Sequence, residues 1–192
     1  MIRGWRFLLA LAGLALVAPA IARTGFETLL DGRSLAGWTA VGEPAWRVGH
    51  GAVSADAGPA TFLVSNGSYR DFELRVEFWV SDDANSGVFI RCASRTEINA
   101  TACYEVNIYD TRPDPTYGTG AIVNVAPVSP MPRAGGHWNL MVIVARGDTL
   151  SVTLNGRRTV AAARDSAHRE GPFALQRAAG TVRFRRIEIR RL

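Results

Sequence analysis

The 192-residue sequence contains no lysine, so all 22 of its basic side chains are arginines. A Schiff base needs a lysine amine and a P-loop needs a lysine at the phosphates, so this absence excludes both kinds of chemistry. The formal net charge of +5 is too small to indicate nucleic-acid binding. One basic cluster lies in an alternating segment near the end of the chain, and we interpret it as a solvated or protected strand face. It consists of Arg183, Arg185, Arg186, Arg190 and Arg191.

Histidine and acidic motifs are also scarce. The three histidines, His50, His137 and His168, are far apart in the sequence and do not have the spacing of zinc ligands. We therefore predict no metal site and no cofactor, although the sequence leaves a divalent metal open. No closely spaced acidic triplet follows one strand face, which disfavours a glycosidase of the two-carboxylate type.

The first 22 residues predict a secretory signal. Arg3 and Arg6 precede an apolar run, residues 7–17, that is short for a membrane span, and residues 20–22 read Ala-Ile-Ala like a cleavage site. An uncleaved membrane anchor is the less favoured alternative. We expect a mature chain of one domain, residues 23–192, in the periplasm or outside the cell, with no membrane attachment after cleavage.

Two cysteines, Cys92 and Cys103, are eleven positions apart. In an exported chain such a pair favours a disulfide that closes a short loop over two free thiols. A bond of this kind stabilises a fold by roughly 2 to 3 kcal/mol.

The remaining sequence predicts short strands separated by turns. Residues 72–80 alternate apolar and polar side chains most clearly, and hairpin turns are expected at residues 49–51 and 155–156. The apolar parity changes near residues 185–186, which predicts a β-bulge there. Residues 161–169 are the only short helix candidate. Many short strands in one domain predict an all-β sandwich, preferably a jelly roll with one face open to a ligand.

The stretch from Asn85 to Val125 contains the polar residues that least resemble ordinary surface. Two strand-like runs, residues 86–93 and 103–109, place apolar side chains on one parity. Because side chains alternate along a strand, the other parity turns away from the core. That other parity carries Phe89, Arg91, Glu105, Asn107 and Tyr109. Charged, amide and aromatic groups together favour a sugar as the ligand.

Several segments in order resemble the 3-keto-disaccharide hydrolase family. They are LLDGRSLAGW, residues 72–91, CYEVNIYD, the TGAIV strand, the Trp138-Asn139 pair, the LNG turn, GPFALQ and VRFRRIEIR. The resemblance covers nearly all of the mature chain. It implies an exported concanavalin A-like jelly roll that cleaves glycosides oxidised at carbon 3 of the sugar. The loop RPDPTYG and the closing FRR depart from the usual pattern, so the substrate can differ.

The chemistry implied by the resemblance requires a base, an enolate stabiliser and groups that position a sugar. Glu105 is the predicted base and Arg91 the predicted stabiliser of the enolate oxygen. Asp110 follows the same strand and is the alternative base, since nearby prolines would turn the chain there. The predicted substrate-binding residues are Asn85, Asn107, Tyr109, Trp79 and Gln176.

Other interpretations of the same residues stay open. Glu105 and Arg91 could form a cross-strand ion pair on an exposed sheet, contributing at most about 1 kcal/mol. A non-catalytic carbohydrate-binding module of the cell envelope is the second functional class, and a structural envelope protein is the third. In the first two classes the expected partner is an oxidised glycoside or a glycan. The sequence makes no prediction about the oligomeric state.

Overall fold

The computed structural model describes residues 25–43 and 45–192. The predicted signal segment, residues 1–22, lies outside the described residues. The described chain forms thirteen β-strands and one 3₁₀-helix. The strands are β1 (Glu27–Leu30), β2 (Trp38–Val41), β3 (Arg47–Gly49), β4 (Ala52–Ala55), β5 (Thr61–Ser65), β6 (Phe72–Val80), β7 (Asn85–Ile90), β8 (Tyr104–Ile108), β9 (Trp138–Arg146), β10 (Thr149–Leu154), β11 (Arg157–Arg164), β12 (Ala174–Ala179) and β13 (Val182–Arg191), and the 3₁₀-helix is Pro115–Tyr117. In this part of the chain, no helix has the length and apolar character that crossing a membrane requires.

The strands form two antiparallel sheets that face each other. The larger sheet has eight strands in the order β11-β10-β9-β6-β13-β4-β3, and β1 pairs with β13 beyond the end of β4. The smaller sheet has five strands in the order β2-β5-β12-β7-β8. The predicted all-β, concanavalin A-like jelly-roll sandwich is confirmed.

Alternation of apolar side chains builds the core between the sheets. In β6 the residues Phe72, Leu74, Val76, Phe78 and Val80 are all buried, and the residues between them are half-buried on the opposite face. Burial of each such side chain stabilises the fold by roughly 1.5 to 3 kcal/mol. The five-stranded sheet completes this core with side chains that project from its inner face. They are Leu63, Val88, Val106 and Leu175.

Two hairpin turns and one bulge confirm the sequence prediction. His50 and Gly51 join β3 to β4, and Asn155 and Gly156 join β10 to β11, all four with positive φ. A two-residue turn of this kind requires positive φ at both positions, which glycine and asparagine tolerate best. The pairing of β13 with β6 shifts register between residues 184 and 186, where the bulge was expected.

Two local predictions are wrong. The helix candidate at residues 161–169 is instead the second half of β11 and the loop after it, because Ala163 and Arg164 pair with the start of β10. The TGAIV segment is not a strand of either sheet, although it makes isolated bridges through Ile122 and backbone hydrogen bonds with Glu105 and Asn107 of β8. The conformation of both segments depends on whether a neighbouring strand pairs with them, and the local sequence does not show that neighbour.

The predicted disulfide between Cys92 and Cys103 is present, with Cα atoms 4.1 Å apart. It closes a loop that leaves β7 and returns to β8. Ile98 of this loop packs with Val64 and Phe89 in a small hydrophobic cluster separate from the main core. The loop therefore covers one end of the outer face of the five-stranded sheet.

Candidate active site

The outer face of the five-stranded sheet brings three predicted residues together. Gln176 of β12 and Asn107 of β8 lie on either side of Gly87 in β7. Glu105 lies one row further along β8, beside Phe89. Because directly paired residues project from the same side of a sheet, these side chains share one surface. We call this surface the Glu105 face.

Glu105 is half-buried on this face, and its carboxylate accepts no hydrogen bond from any residue that the structure describes. Burial raises the pKa of Glu105 to about 7, and the positive charge of Arg112 opposes this rise. A carboxylate that changes charge near neutral pH is suited to take a proton from a substrate and release it again. Such shifts are enriched at functional sites.

Asn107 and Gln176 each hold a buried amide oxygen that has no partner among residues 25–43 and 45–192. The other end of the Asn107 amide is fixed, because its nitrogen donates to the carbonyl of Tyr117 at 2.6 Å. An unsatisfied buried acceptor costs roughly 1 to 3 kcal/mol, so it marks a place where a ligand donor is favoured. Sugar hydroxyls are donors of this kind.

Gly87 makes room for the carboxylate. A Cβ atom at this position would lie 3.3 Å from Oε1 of Glu105 and 3.3 Å from a ring carbon of Phe89. Both distances are tighter than ordinary carbon contacts. The glycine thus lets the Glu105 side chain lie against the backbone of β7.

Arg91 does not lie on the Glu105 face, so its predicted placement is wrong. Its φ of +52° ends the alternation of β7 and turns the side chain into the protein, where 1% of it is exposed. The guanidinium donates to the carbonyls of Arg70, Gly147 and His168 at 2.7, 2.8 and 3.3 Å and to Asp71 at 3.1 Å. These four bonds connect separate loops, so Arg91 is a structural residue and not an enolate stabiliser.

Asp110 is also engaged by the protein. Its carboxylate accepts hydrogen bonds from the Thr119 hydroxyl at 2.6 Å and from the backbone N–H groups of Ala134 and Gly135 at 2.8 and 2.9 Å. These bonds anchor both ends of the long loop between β8 and β9. We therefore assign Asp110 to loop anchoring and no longer retain it as the alternative base.

Arg112 is the cation that the sequence analysis missed. It lies two residues after Asp110, and its charge acts on the Glu105 carboxylate. Its guanidinium makes no hydrogen bond or ion pair within the described chain, so its donors are available. The one feature of the sequence that pointed to Arg112 was its position just after the strand that carries Glu105.

Residues 25–190 match the model of the 3-keto-alpha-glucoside-1,2-lyase-like domain. The chain belongs to this family. Two candidate glycosyl hydrolases of Parabacteroides distasonis ATCC 8503 have similar structures. The first has a TM-score of 0.75 and 15% sequence identity, and the match covers 88% of this chain and 94% of that protein. The second has a TM-score of 0.72 and 21% sequence identity, and the match covers 87% of this chain and 99% of that protein. The carbohydrate binding module CBM66 from Bacillus subtilis gives 0.63 at 20% over 79% and 94%. At these identities the likeness shows the fold alone. No curated protein matches the sequence.

The other predicted substrate-binding residues divide between two surfaces in this member of the lyase-like family. Asn85, the first residue of β7, and Tyr109, which directly follows β8, continue the parity of the Glu105 face, and both are half-buried. Trp79 lies on the outer face of the other sheet, with the Arg183 guanidinium 4.6 Å from its ring centroid. Trp79 therefore cannot contact a sugar at Glu105.

The described residues of this family member contain no group of three or more histidine, cysteine, aspartate or glutamate side chains placed to hold a metal ion. The histidines stay apart in the fold. His50 lies in a hairpin turn, His137 precedes β9, and the His168 ring contacts Tyr104 with ring centroids 4.9 Å apart. The polar groups of the Glu105 face are the Glu105 carboxylate, on which the Arg112 charge acts, and the amide oxygens of Asn107 and Gln176.

Proposed function

We propose that the protein cleaves glycosides whose sugar carries a ketone at carbon 3, with Glu105 as the base. The supporting observation is a half-buried carboxylate whose pKa is about 7 beside two buried amide oxygens without partners. A base of this strength holds its proton loosely at neutral pH. Membership of the lyase-like family supports the choice of substrate class.

The reaction begins with the acidic hydrogen on carbon 2, next to the ketone. Glu105 takes this proton, the electron pair of the broken C–H bond forms an enolate, and the enolate oxygen carries the negative charge. The enolate then re-forms the ketone and expels the glycosidic oxygen from carbon 1, and this oxygen takes the proton held by Glu105 and leaves as the alcohol. Water adds across the resulting double bond, with its oxygen on carbon 1 and a hydrogen on carbon 2. The net change is glycoside plus water giving a 3-keto sugar and an alcohol, and Glu105 returns to its starting charge.

In place of Arg91, Arg112 is the proposed stabiliser of the enolate oxygen. Its donors are not used by the described protein, and a guanidinium aimed at a developing oxyanion stabilises the transition state more than the ground state. Asn107 and Gln176 would accept hydrogen bonds from sugar hydroxyls and hold carbon 2 near the base.

The experiment compares a 3-keto-glucoside with its unoxidised parent. Wild-type protein should release sugar only from the keto compound, and Glu105→Gln should lower turnover about 100-fold or more without loss of binding. Glu97→Gln is the matched control, because Glu97 is an exposed carboxylate in the disulfide loop beside this face. A folded Glu105→Gln protein with normal turnover would contradict the role of Glu105.

A second pair of variants tests the oxyanion role. Arg112→Gln should lower the turnover of the keto compound about tenfold or more, because one charge-assisted contact in the transition state is lost. Arg133→Gln removes the same charge from an exposed position in the same loop and should leave turnover unchanged. Equal effects of both changes would indicate only a general influence of charge.

A carbohydrate-binding module is the second candidate function. The two unpartnered amide oxygens favour it as well, because they would bind hydroxyls whether or not a proton is moved. Release of sugar from neither compound, together with measurable glycan binding that Asn107→Ala weakens, would establish this alternative. The same outcome would remove the catalytic role proposed for Glu105.

We also propose that the protein is exported. The disulfide between Cys92 and Cys103 fits an oxidising compartment such as the periplasm. Mass spectrometry of periplasmic protein should give an N-terminus near Arg23 and a mass two hydrogens below that of the dithiol. Retention of residues 1–22, or two thiols that react with an alkylating reagent before reduction, would contradict export of a cleaved, oxidised chain.

A further inference from the structure

A row of five side chains crosses the outer face of the eight-stranded sheet, on the opposite side of the sandwich from Glu105. Residues of five neighbouring strands pair directly in the order Arg47, Ser54, Arg183, Trp79 and Trp138. Directly paired residues project from one side of a sheet, and strands are about 4.8 Å apart, so the row is roughly 19 Å long. This is long enough to contact several units of a chain-like ligand.

A cleft of about 190 Å³ lies along the row. Its polar lining consists of His50, Ser54, Asp56, Thr181 and Arg183, and Trp138 forms part of its wall. Asp56 is paired with Arg47 at 2.5 Å, so its negative charge is compensated. The volume is below the roughly 300 Å³ of a drug-sized pocket and suits a single unit of a larger ligand.

Arg183 differs from its neighbours on the same strand. Arg185, Arg186 and Arg190 each form an ion pair with a glutamate of the same sheet. The Arg183 side chain is exposed and makes no hydrogen bond or ion pair with a described residue, and its guanidinium lies over the Trp79 ring. Stacking on an indole orients a guanidinium without using its N–H donors, which leaves its fork ready for a carboxylate.

The rest of the cleft offers contacts that a sugar ring would use. Trp138 is 37% exposed, a high value for a large aromatic side chain. The Arg185 guanidinium covers one side of its ring, 4.3 Å from the centroid, and the remaining ring surface forms the apolar end of the row. The hydroxyls of Ser54 and Thr181 are half-buried and make no side-chain hydrogen bond within the described residues. An apolar ring face, two hydroxyls and one uncompensated cation thus surround the same small space.

We propose that this row is a second binding site, for an anionic glycan built from uronic acid units. The carboxylate of one unit would form a bidentate pair with Arg183, its ring would contact Trp138, and its hydroxyls would bond to Ser54 and Thr181. A neutral glycan would leave the Arg183 charge uncompensated. The site binds without cleaving, and its ligand does not have to be the substrate at Glu105.

Binding of trigalacturonic acid to the full protein tests the proposal, with maltotriose as the neutral counterpart of equal length. Calorimetry at low salt should show trigalacturonate binding that weakens as salt is added, and much weaker binding of maltotriose. Arg183→Gln should raise the dissociation constant about tenfold or more, since a charge-assisted pair is lost. Trp138→Ala should raise it severalfold. Arg158→Gln removes an exposed arginine at the far edge of the same face and should change nothing.

The outcomes separate this site from the one at Glu105. Glu105→Gln should bind trigalacturonate as the wild type does, and Arg183→Gln should release sugar from a 3-keto-glucoside at the wild-type rate. The proposal is overturned if trigalacturonate does not bind, if maltotriose binds as tightly, or if Arg183→Gln binds trigalacturonate normally. An equal loss of trigalacturonate affinity in Arg158→Gln and Arg183→Gln would also overturn it, because the attraction would then come from the net charge of the protein and not from the row.

Discussion

The outer faces of the two sheets carry similar kinds of residue but use them differently. On the eight-stranded sheet most charges are paired with each other, as Glu73 is with Arg75 and Arg190, and Glu77 with Arg185. On the Glu105 face the carboxylate has no hydrogen bond from a described residue, and two amide oxygens are buried without partners. Polar residues on a sheet surface are therefore informative mainly through the partners they have or do not have.

The same criterion separates residues within each face. Arg183 is an exception on the paired face, and for that reason it carries the proposed glycan site. Arg91 is an exception of the other kind, since it directly follows β7 of the Glu105 face but is fully bonded inside the protein. Substitutions of partnered and unpartnered groups should therefore have different effects.

The largest effect is expected at Arg91. Arg91→Ala leaves three backbone carbonyls without their donor and removes one of the two donors of Asp71, which keeps the N–H of Gly147. Each unsatisfied buried acceptor costs roughly 1 to 3 kcal/mol, so the total loss should be about 3 to 5 kcal/mol. Urea unfolding at pH 7 should show this loss. Arg70→Ala changes an exposed neighbour whose backbone carbonyl still accepts from Arg91, and it should cost less than about 0.5 kcal/mol. A loss below about 1 kcal/mol for Arg91→Ala would return this residue to the candidates for a direct role in binding.

The next effect concerns Glu105 and pH. Burial raises the folded-state pKa of Glu105 to about 7 from an ordinary value of 4.5, so the folded state binds more protons than the unfolded state between these values. The free energy of unfolding therefore falls as pH rises from about 4.5 to 7, by at most about 3 kcal/mol. Glu105→Gln has no such loss and should be more stable than wild type at pH 8. The difference in unfolding free energy between the two proteins, measured at pH 4.5 and pH 8, gives this value directly. Equal pH dependence in both proteins would show that Glu105 is not desolvated.

The smallest effect is expected on the paired face. Glu77→Gln breaks the ion pair with Arg185, in which the two atoms are 2.6 Å apart, Arg185 is exposed and Glu77 is half-buried. Exposed pairs contribute roughly 0 to 1 kcal/mol and weaken in salt. The melting temperature should therefore change little, and less still in 0.5 M salt. A loss above about 2 kcal/mol would mean that the paired face is an essential part of the fold rather than a solvated surface.

The fold was largely predictable because its signals are local. The alternation of residues 72–80 gave β6 with the bounds the structure has, and Asn155-Gly156 gave a hairpin because few other residues accept two positive φ angles. The parity change near residues 185–186 predicted a bulge for a similar reason. Strands β2 and β5 were not predicted, since they are short and pair with partners distant in sequence.

The site was predictable only in part. Alternation placed Glu105 and Asn107 on an outer face, but it fails at a single positive φ, and Arg91 lies at that residue. Alternation also separates inner from outer faces without showing which sheet a strand joins, so Trp79 was assigned to the wrong surface. Arg112 belongs to a proline-containing loop with no periodicity, and only the folded arrangement brings its charge to Glu105.

Gly87 has no side chain, and this leaves space beside the Glu105 carboxylate. The Phe89 ring beside Gly87 packs edge-on against Phe62, with centroids 5.5 Å apart, in the hydrophobic cluster that includes Ile98 of the disulfide loop. A methyl group at position 87 would therefore push against the carboxylate that lies over the backbone. Gly87→Ala would move the carboxylate by a few tenths of an ångström relative to the sugar while leaving its charge and its strand in place.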